Sequence, residues 1–219
     1  MHKRLFISMA LVAAISSASF GQIVATNDQD VRVVTEPSGV RDNDNGGDAN
    51  TGRLIGLNTA GIDNFMVFGF DDLNEVAGET VFGATITFFV AVEFSNANHG
   101  SIDDVIVLNE LALPNDGWIQ GNGVIGGSTN STNDGSISYN NRVQFLSAAS
   151  SEPWMDATGA PVANLEGAIT PIASLPGFDE GTGPLTISFD VDAATAQNWA
   201  DNGLAGLVLS AMDLSLIHI

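Results

Sequence analysis

Short runs of β-branched and aromatic residues alternate with Gly-, Asn- and Asp-rich turns along almost the whole chain. This rhythm limits the fold more than any other feature of the sequence. The runs are Val31–Thr35, Arg53–Asn58, Asn64–Phe70, Ala84–Phe94, Asp104–Leu113, Arg142–Leu146, Leu185–Val191 and Leu204–Ala211. Within Phe65-Met-Val-Phe-Gly-Phe70 nearly every side chain is apolar, which suits a central strand. One helix interrupts the pattern. Asp192 is a good N-cap, Ala193 to Asp201 are strong helix formers, and Asn202-Gly203 supplies a stop. Trp199, close to two turns after the cap, is expected to pack that helix onto the sandwich. The spacing predicts an all-β, jelly-roll-like β-sandwich of mainly antiparallel strands with one short helix near the C-terminus. An up-and-down barrel is the alternative, and no internal repeat of fixed period is evident.

The N-terminus follows a different logic. Lys3 and Arg4 form a positive start, Leu5 to Ile15 an apolar stretch, and Ser16 to Gly21 a small-residue region. That order is the pattern of a secretory signal peptide, and the apolar stretch is too short to span a bilayer. Cleavage after Ala18 or after Gly21 satisfies the small-residue rule, and Gly21 is preferred. A buried N-terminal helix is the competing reading. The expectation is an exported protein, extracellular or on the cell surface, with residues 22–213 as one domain. The last six residues, Leu214 to Ile219, resemble the in-frame translation of a transposase sequencing adapter. The expectation is that they are an artefact and that the gene continues with at least one more strand.

No cysteine is present, so no disulfide can staple the fold, and an exported domain of this size needs a true core or metal ions. No later segment reads as a membrane helix. The most apolar one, Val81 to Phe94, is rich in Thr, Val and Phe, contains Glu93, and reads as a buried strand.

Residues 22–219 keep four basic residues (Arg32, Arg41, Arg53 and Arg142) and all 26 acidic ones, a net charge of −22. Such a surface repels phosphate backbones and anionic lipid, so nucleic acid is excluded as a partner. Solubility, adaptation to salt and divalent-cation binding all fit the same charge.

Two groups of residues could carry chemistry. The loop Arg41-Asp-Asn-Asp-Asn-Gly-Gly-Asp48 places Asp42, Asp44 and Asp48 at i, i+2 and i+6 among asparagines and glycines. Ca²⁺ takes six to eight oxygens, which one such loop supplies, with Asp28 and Asp30 available from the neighbouring edge. The spacing opens like an EF-hand, but Arg53 stands at the twelfth position, so it is not one. A solvated turn rich in Asp and Asn fits these residues too, and Asp71-Asp72 is a weaker candidate. The second group is Trp118, Tyr139 and Trp154, which sit among glycine, asparagine and proline. Exposed, these rings would stack on sugar faces, with Gln120, Asn122, Asn140 and Asp156 reaching hydroxyls. Buried, each would cover one end of the sandwich.

Catalytic groups are scarce. His99 is the one histidine outside the leader and the suspected tail, and no lysine remains after Lys3. Thiolate, Schiff-base and zinc chemistry therefore lack their residues. There is no Gly-x-Ser-x-Gly elbow, and Asp and Glu are too plentiful for any one pair to mark a glycosidase. The Asn130-Ser-Thr132 sequon means little in a bacterial host.

A family pattern runs through these elements. It includes Asp30-Val-Arg-Val, Arg53-Leu-Ile-Gly, Phe65-Met-Val-Phe-Gly-Phe-Asp-Asp-Leu73 and Gly83-Ala-Thr-Ile-Thr-Phe-Phe-Val90. Further along come Gly117-Trp-Ile-Gln-Gly-Asn-Gly123, Pro153-Trp-Met-Asp156, Phe189-Asp-Val-Asp-Ala-Ala-Thr-Ala-Gln-Asn-Trp199 and Gly206-Leu-Val-Leu-Ser210. In this order they resemble the DNRLRE-type domains of secreted bacterial proteins, which are similar to alginate-binding carbohydrate-binding modules. The resemblance covers most of residues 28–211. It departs at the extra Asp72, at a missing arginine before that strand, and in the long polar segment 121–152. It implies a jelly-roll sandwich and a non-catalytic role in binding polysaccharide or cell-envelope glycan. A structural or adhesive surface module and, more remotely, a polysaccharide-degrading enzyme are the rival readings.

Overall fold

The computed structural model describes residues 7–17, 19–26, 29–34, 64–70, 76–90, 105–119, 137–143, 150–176 and 185–212. Among them are β1 (Ile7–Ser17), β2 (Ser19–Thr26), β3 (Gln29–Val34), β4 (Asn64–Gly69), β5 (Val81–Val90) and β6 (Val105–Leu111). They are followed by β7 (Asn141–Val143), β8 (Glu152–Met155), β9 (Pro161–Val162), β10 (Ile169–Leu175), β11 (Leu185–Val191), α1 (Ala193–Asn202) and β12 (Leu207–Met212). The fold is all-β with one α-helix near the C-terminus, and every paired strand is antiparallel.

The first sheet has the order β11-β5-β1-β2, the second β10-β6-β12-β4-β3, and a small third sheet β7-β8-β9. Side chains alternate across a strand, so the central strands of the second sheet feed two cores. Met66, Phe68, Ile106, Leu108, Leu207 and Leu209 join Ile86, Phe88, Ile187 and Phe189 of the first sheet in the main core. Phe65, Val67, Leu111 and Val208 belong to a second core with Trp118, Ile137, Trp154 and Leu165. A sheet covered on both faces has no polar face to show in its sequence. That is why Phe65 to Phe70 reads as a continuous apolar run instead of an alternating one.

Phe88 sits at the middle of the main core, 5.2 Å from the Phe68 ring and 5.9 Å from Phe189, edge to face with the latter. Burying one such ring contributes about 1.5–3 kcal/mol, and each favourable ring pair adds about 0.5–1.5 kcal/mol.

Two of the elements that depart from the expectation from sequence bear on how the sheets pair. β10 contains Pro171, which cannot donate to a ladder; the strand tolerates it because β10 is an edge strand whose register slips between Pro171 and Ala173. The other departure is β1. Its residues include most of the expected leader core, yet they pair with β5 and β2, with Leu11 opposite both Ile86 and Ala25.

The helix forms where its caps predict. The Asp192 carboxylate accepts from the backbone N–H of Ala194 at 2.9 Å and of Thr195 at 3.0 Å. Gly203 ends the helix at φ 84°, its N–H bonded to the Trp199 carbonyl at 2.8 Å. Trp199, Ala196 and Ala200 are buried against the sheet. Among the described residues no helix is long and apolar enough to cross a membrane.

Candidate functional site

The aromatic residues singled out from the sequence converge, but inside the protein. Trp118 and Trp154 are 4% and 0% exposed. Trp118 follows a 3-10 turn at Leu113–Asn115 and donates its indole N–H to the Ala205 carbonyl at 2.9 Å. Trp154, on β8, donates to the carbonyls of Ser138 at 2.9 Å and Tyr139 at 3.1 Å. Neither indole offers a face to solvent, so the sugar-stacking role read for both from the sequence is one they cannot fill in this arrangement. Sequence alone does not separate an indole presented by a loop from one covered by it.

Tyr139 is half-buried, its ring stacked on Phe65 at 6.0 Å and its hydroxyl accepting from the Asn164 amide at 2.7 Å. Asn140 is exposed beside it. Asn115 locks the same region: its amide donates to Met155 O at 2.8 Å while its carbonyl accepts from Met155 N at 2.9 Å. This side chain pairs with β8 as a strand would. Arg142 donates to the Asp116 carbonyl at 3.3 Å and forms an ion pair with Glu152. Trp118, Tyr139 and Trp154, read from the sequence as a sugar platform, thus belong to the hydrogen-bonded frame of the second core.

The expected calcium ligands Asp42, Asp44, Asp48 and Asp28 lie outside the described residues, as do Gln120, Asn122 and Asp71-Asp72. Asp30 lies in β3 opposite Phe68. Asp156 binds its own turn, where the Thr158 hydroxyl and the Ala160 and Thr158 amides hold its carboxyl below the usual carboxylate range. Among the described residues no three acidic or histidine side chains are grouped so as to hold a metal ion.

The surface that sequence reasoning missed is the outer face of the first sheet. Val81 faces Ile15 and Ala84 faces Ala13, so β5 carries one extra residue between those pairings. That bulge breaks the alternation and turns Phe82, 54% exposed, toward solvent. Gly83 permits it at φ 156°, where a Cβ would lie 3.3 Å from the Val191 carbonyl. A glycine inside an apolar strand pattern was the available signal. Beyond the bulge the face becomes hydroxylic. The Thr85 hydroxyl donates to Asp190 at 3.1 Å, Thr87 meets Ser188 at 3.1 Å, and Thr186, Ser188 and Asp190 are exposed.

Glu110 is half-buried. Glu110, on β6, is held above the usual carboxylate range by burial; the nearby Trp199 side chain offsets this in part. Yet the buried Trp199 indole nitrogen has no partner within hydrogen-bonding distance.

A comparison with protein families, with curated proteins and with solved structures finds no match.

Proposed function

We propose that this chain is an exported, non-catalytic β-sandwich that binds extracellular polysaccharide across the outer face of β5 and β11. The observation that carries the reading is the bulge at Gly83, which holds Phe82 outward at one end of a row of hydroxyls. An exposed ring stacks on the apolar face of a sugar, and the Thr85, Thr87, Thr186 and Ser188 hydroxyls can exchange hydrogen bonds with sugar hydroxyls. The leader-like N-terminus supports export, and the DNRLRE-like pattern supports a glycan partner. Ca²⁺ at Asp42, Asp44 and Asp48, with Asp28 and Asp30, belongs to this reading and rests on sequence spacing. A rise in melting temperature with Ca²⁺ that a chelator reverses is the result expected for it.

Affinity electrophoresis through gels containing neutral, acidic or amino-sugar polysaccharides tests the reading. Retardation by at least one polymer, reduced in Phe82→Ala, is expected. Migration identical in all gels, with and without Ca²⁺, would sink the proposal.

A second reading, a structural or adhesive module of the cell surface, is favoured by the burial of Trp118 and Trp154. Aromatic residues committed to a second core serve rigidity. Self-association or adhesion to cell envelopes that persists in Phe82→Ala would support it over the first.

A further inference from the structure

The charge around Phe82 narrows the kind of polysaccharide this face can take. Glu79 is exposed three residues before Phe82. Asp190 lies opposite Thr85 on β11, and Asp192 follows where β11 ends beside Ala84. Asp201 is brought to the same end by Gln197, whose amide donates to Asp201 and to the Glu79 carbonyl at 3.0 Å each, while its carbonyl accepts from Val81 N at 2.9 Å. The phenyl ring is therefore set at an end of the sheet rimmed by carboxylates. Arg142, the one cation whose side chain is described, is paired with Glu152 beside the third sheet.

We infer, on the basis of the polysaccharide reading above, that this sheet face takes a cationic amino-sugar polymer and rejects anionic ones. A protonated 2-amino sugar presents an ammonium group beside an apolar ring face. The ammonium is attracted both to the carboxylate rim and to the face of an exposed aromatic ring. A uronate polymer presents carboxylates to the same rim and to a domain of net charge −22 over residues 22–219. Like charges disfavour that encounter, most strongly at low salt. The preferred ligand class is thus opposite in sign to the alginate that the DNRLRE-like pattern suggests.

Affinity electrophoresis and pull-down of the full chain on partly deacetylated glucosamine polymer, a neutral β-glucan and alginate test this at 20 mM and 500 mM NaCl. The expected result is retention on the glucosamine polymer that falls with salt. Phe82→Ala should weaken it about threefold, as loss of an exposed cation–π contact does, and Asp190→Asn should weaken it further. Glu166→Gln, a carboxylate change at the 3-10 turn Leu165–Ala168, should leave it unchanged. Equal weakening by Glu166→Gln and Asp190→Asn would mean that bulk charge alone binds the polymer, and the site assignment would fail. Preferential retention on alginate or on the neutral glucan would overturn the ligand class but leave the polysaccharide reading standing. Retention on no polymer would remove both.

Discussion

The indole N–H of Trp154 is donated to the main-chain carbonyl of Ser138 at 2.9 Å, tying β8 to the chain that leads into β7. The same side chain is fully buried among Phe65, Leu165 and Val208. Trp154 therefore both fills space and satisfies a buried carbonyl. Trp154→Phe keeps most of the volume and removes this hydrogen bond, which should lower unfolding free energy by about 0.5–1.5 kcal/mol. Trp154→Ala opens a cavity as well and should cost about 3–5 kcal/mol. Urea unfolding of both variants measures the difference. Glycan retention by folded Trp154→Phe should equal that of the parent, which separates this residue from Phe82.

Among the described glycines, Gly206 and Gly167 leave the least room for a Cβ, and at Gly206 the obstacle is backbone. A Cβ there would stand 2.8 Å from the Phe68 carbonyl and 3.1 Å from the Trp118 indole nitrogen, and the backbone sits at φ 158°. Gly78 has an unusual φ of 81° as well, but a Cβ would meet nothing within 4 Å. Gly78→Ala should cost about 1–2 kcal/mol from backbone conformation alone. Gly206→Ala adds a clash with backbone that cannot rotate away, and it should cost more than Gly78→Ala. Thermal melting of the two variants side by side checks the order. Equal losses would show that β4 and β12 shift apart without penalty.

Stability should respond to pH in two opposite ways. Burial raises the Glu110 carboxyl, with Trp199 offsetting it in part, so the folded state holds that proton more firmly than the unfolded chain. Its contribution is fully present below the ordinary glutamate range and is lost as pH rises through the raised value. The Asp192 carboxyl is lowered by the Thr195 amide and hydroxyl, so its contribution is present above the ordinary aspartate range and lost as pH falls through the lowered value. Glu110→Gln removes the first effect by staying neutral. It should be more stable than the parent at pH 7 and no more stable at pH 3. A variant less stable than the parent at pH 7 would mean that ionised Glu110 is needed as a partner for Trp199.

Much of the fold was legible because its determinants are local. The helix from Ala193 to Asn202 follows from Asp192 and Gly203, whose capping bonds involve neighbours only. The central strands β4 and β12 follow from apolar runs that both cores demand. Two strands escaped for the same reason. β8 and β9 are short, and their pairing depends on Asn115 and Trp154, residues that become strand partners only after folding. Burial of Trp118 likewise depends on Ala205, 87 residues away. The outward turn of Phe82 needed a count of both strands across the bulge, which one strand's pattern cannot supply.

The pairing of β1 gives the sharpest test of how export and folding fit together. Ala25, Ile86 and Phe189 are almost fully buried, and Leu11 fills the register place between Ala25 and Ile86. If residues 1–21 leave as a signal peptide, β5 loses its ladder on that side and the row loses a member. A chain of residues 22–219 should then show faster amide hydrogen exchange in β5 than the full chain, while exchange in β4, β6 and β12 changes less. Its unfolding should also begin at lower denaturant, because the ladder between β1 and β5 is lost. Hydrogen exchange read by mass spectrometry resolves the strands separately. Identical protection of β5 in both chains would show that another strand occupies the place beside it, and β2, which keeps Gln22–Thr26, is the nearest in sequence to do so.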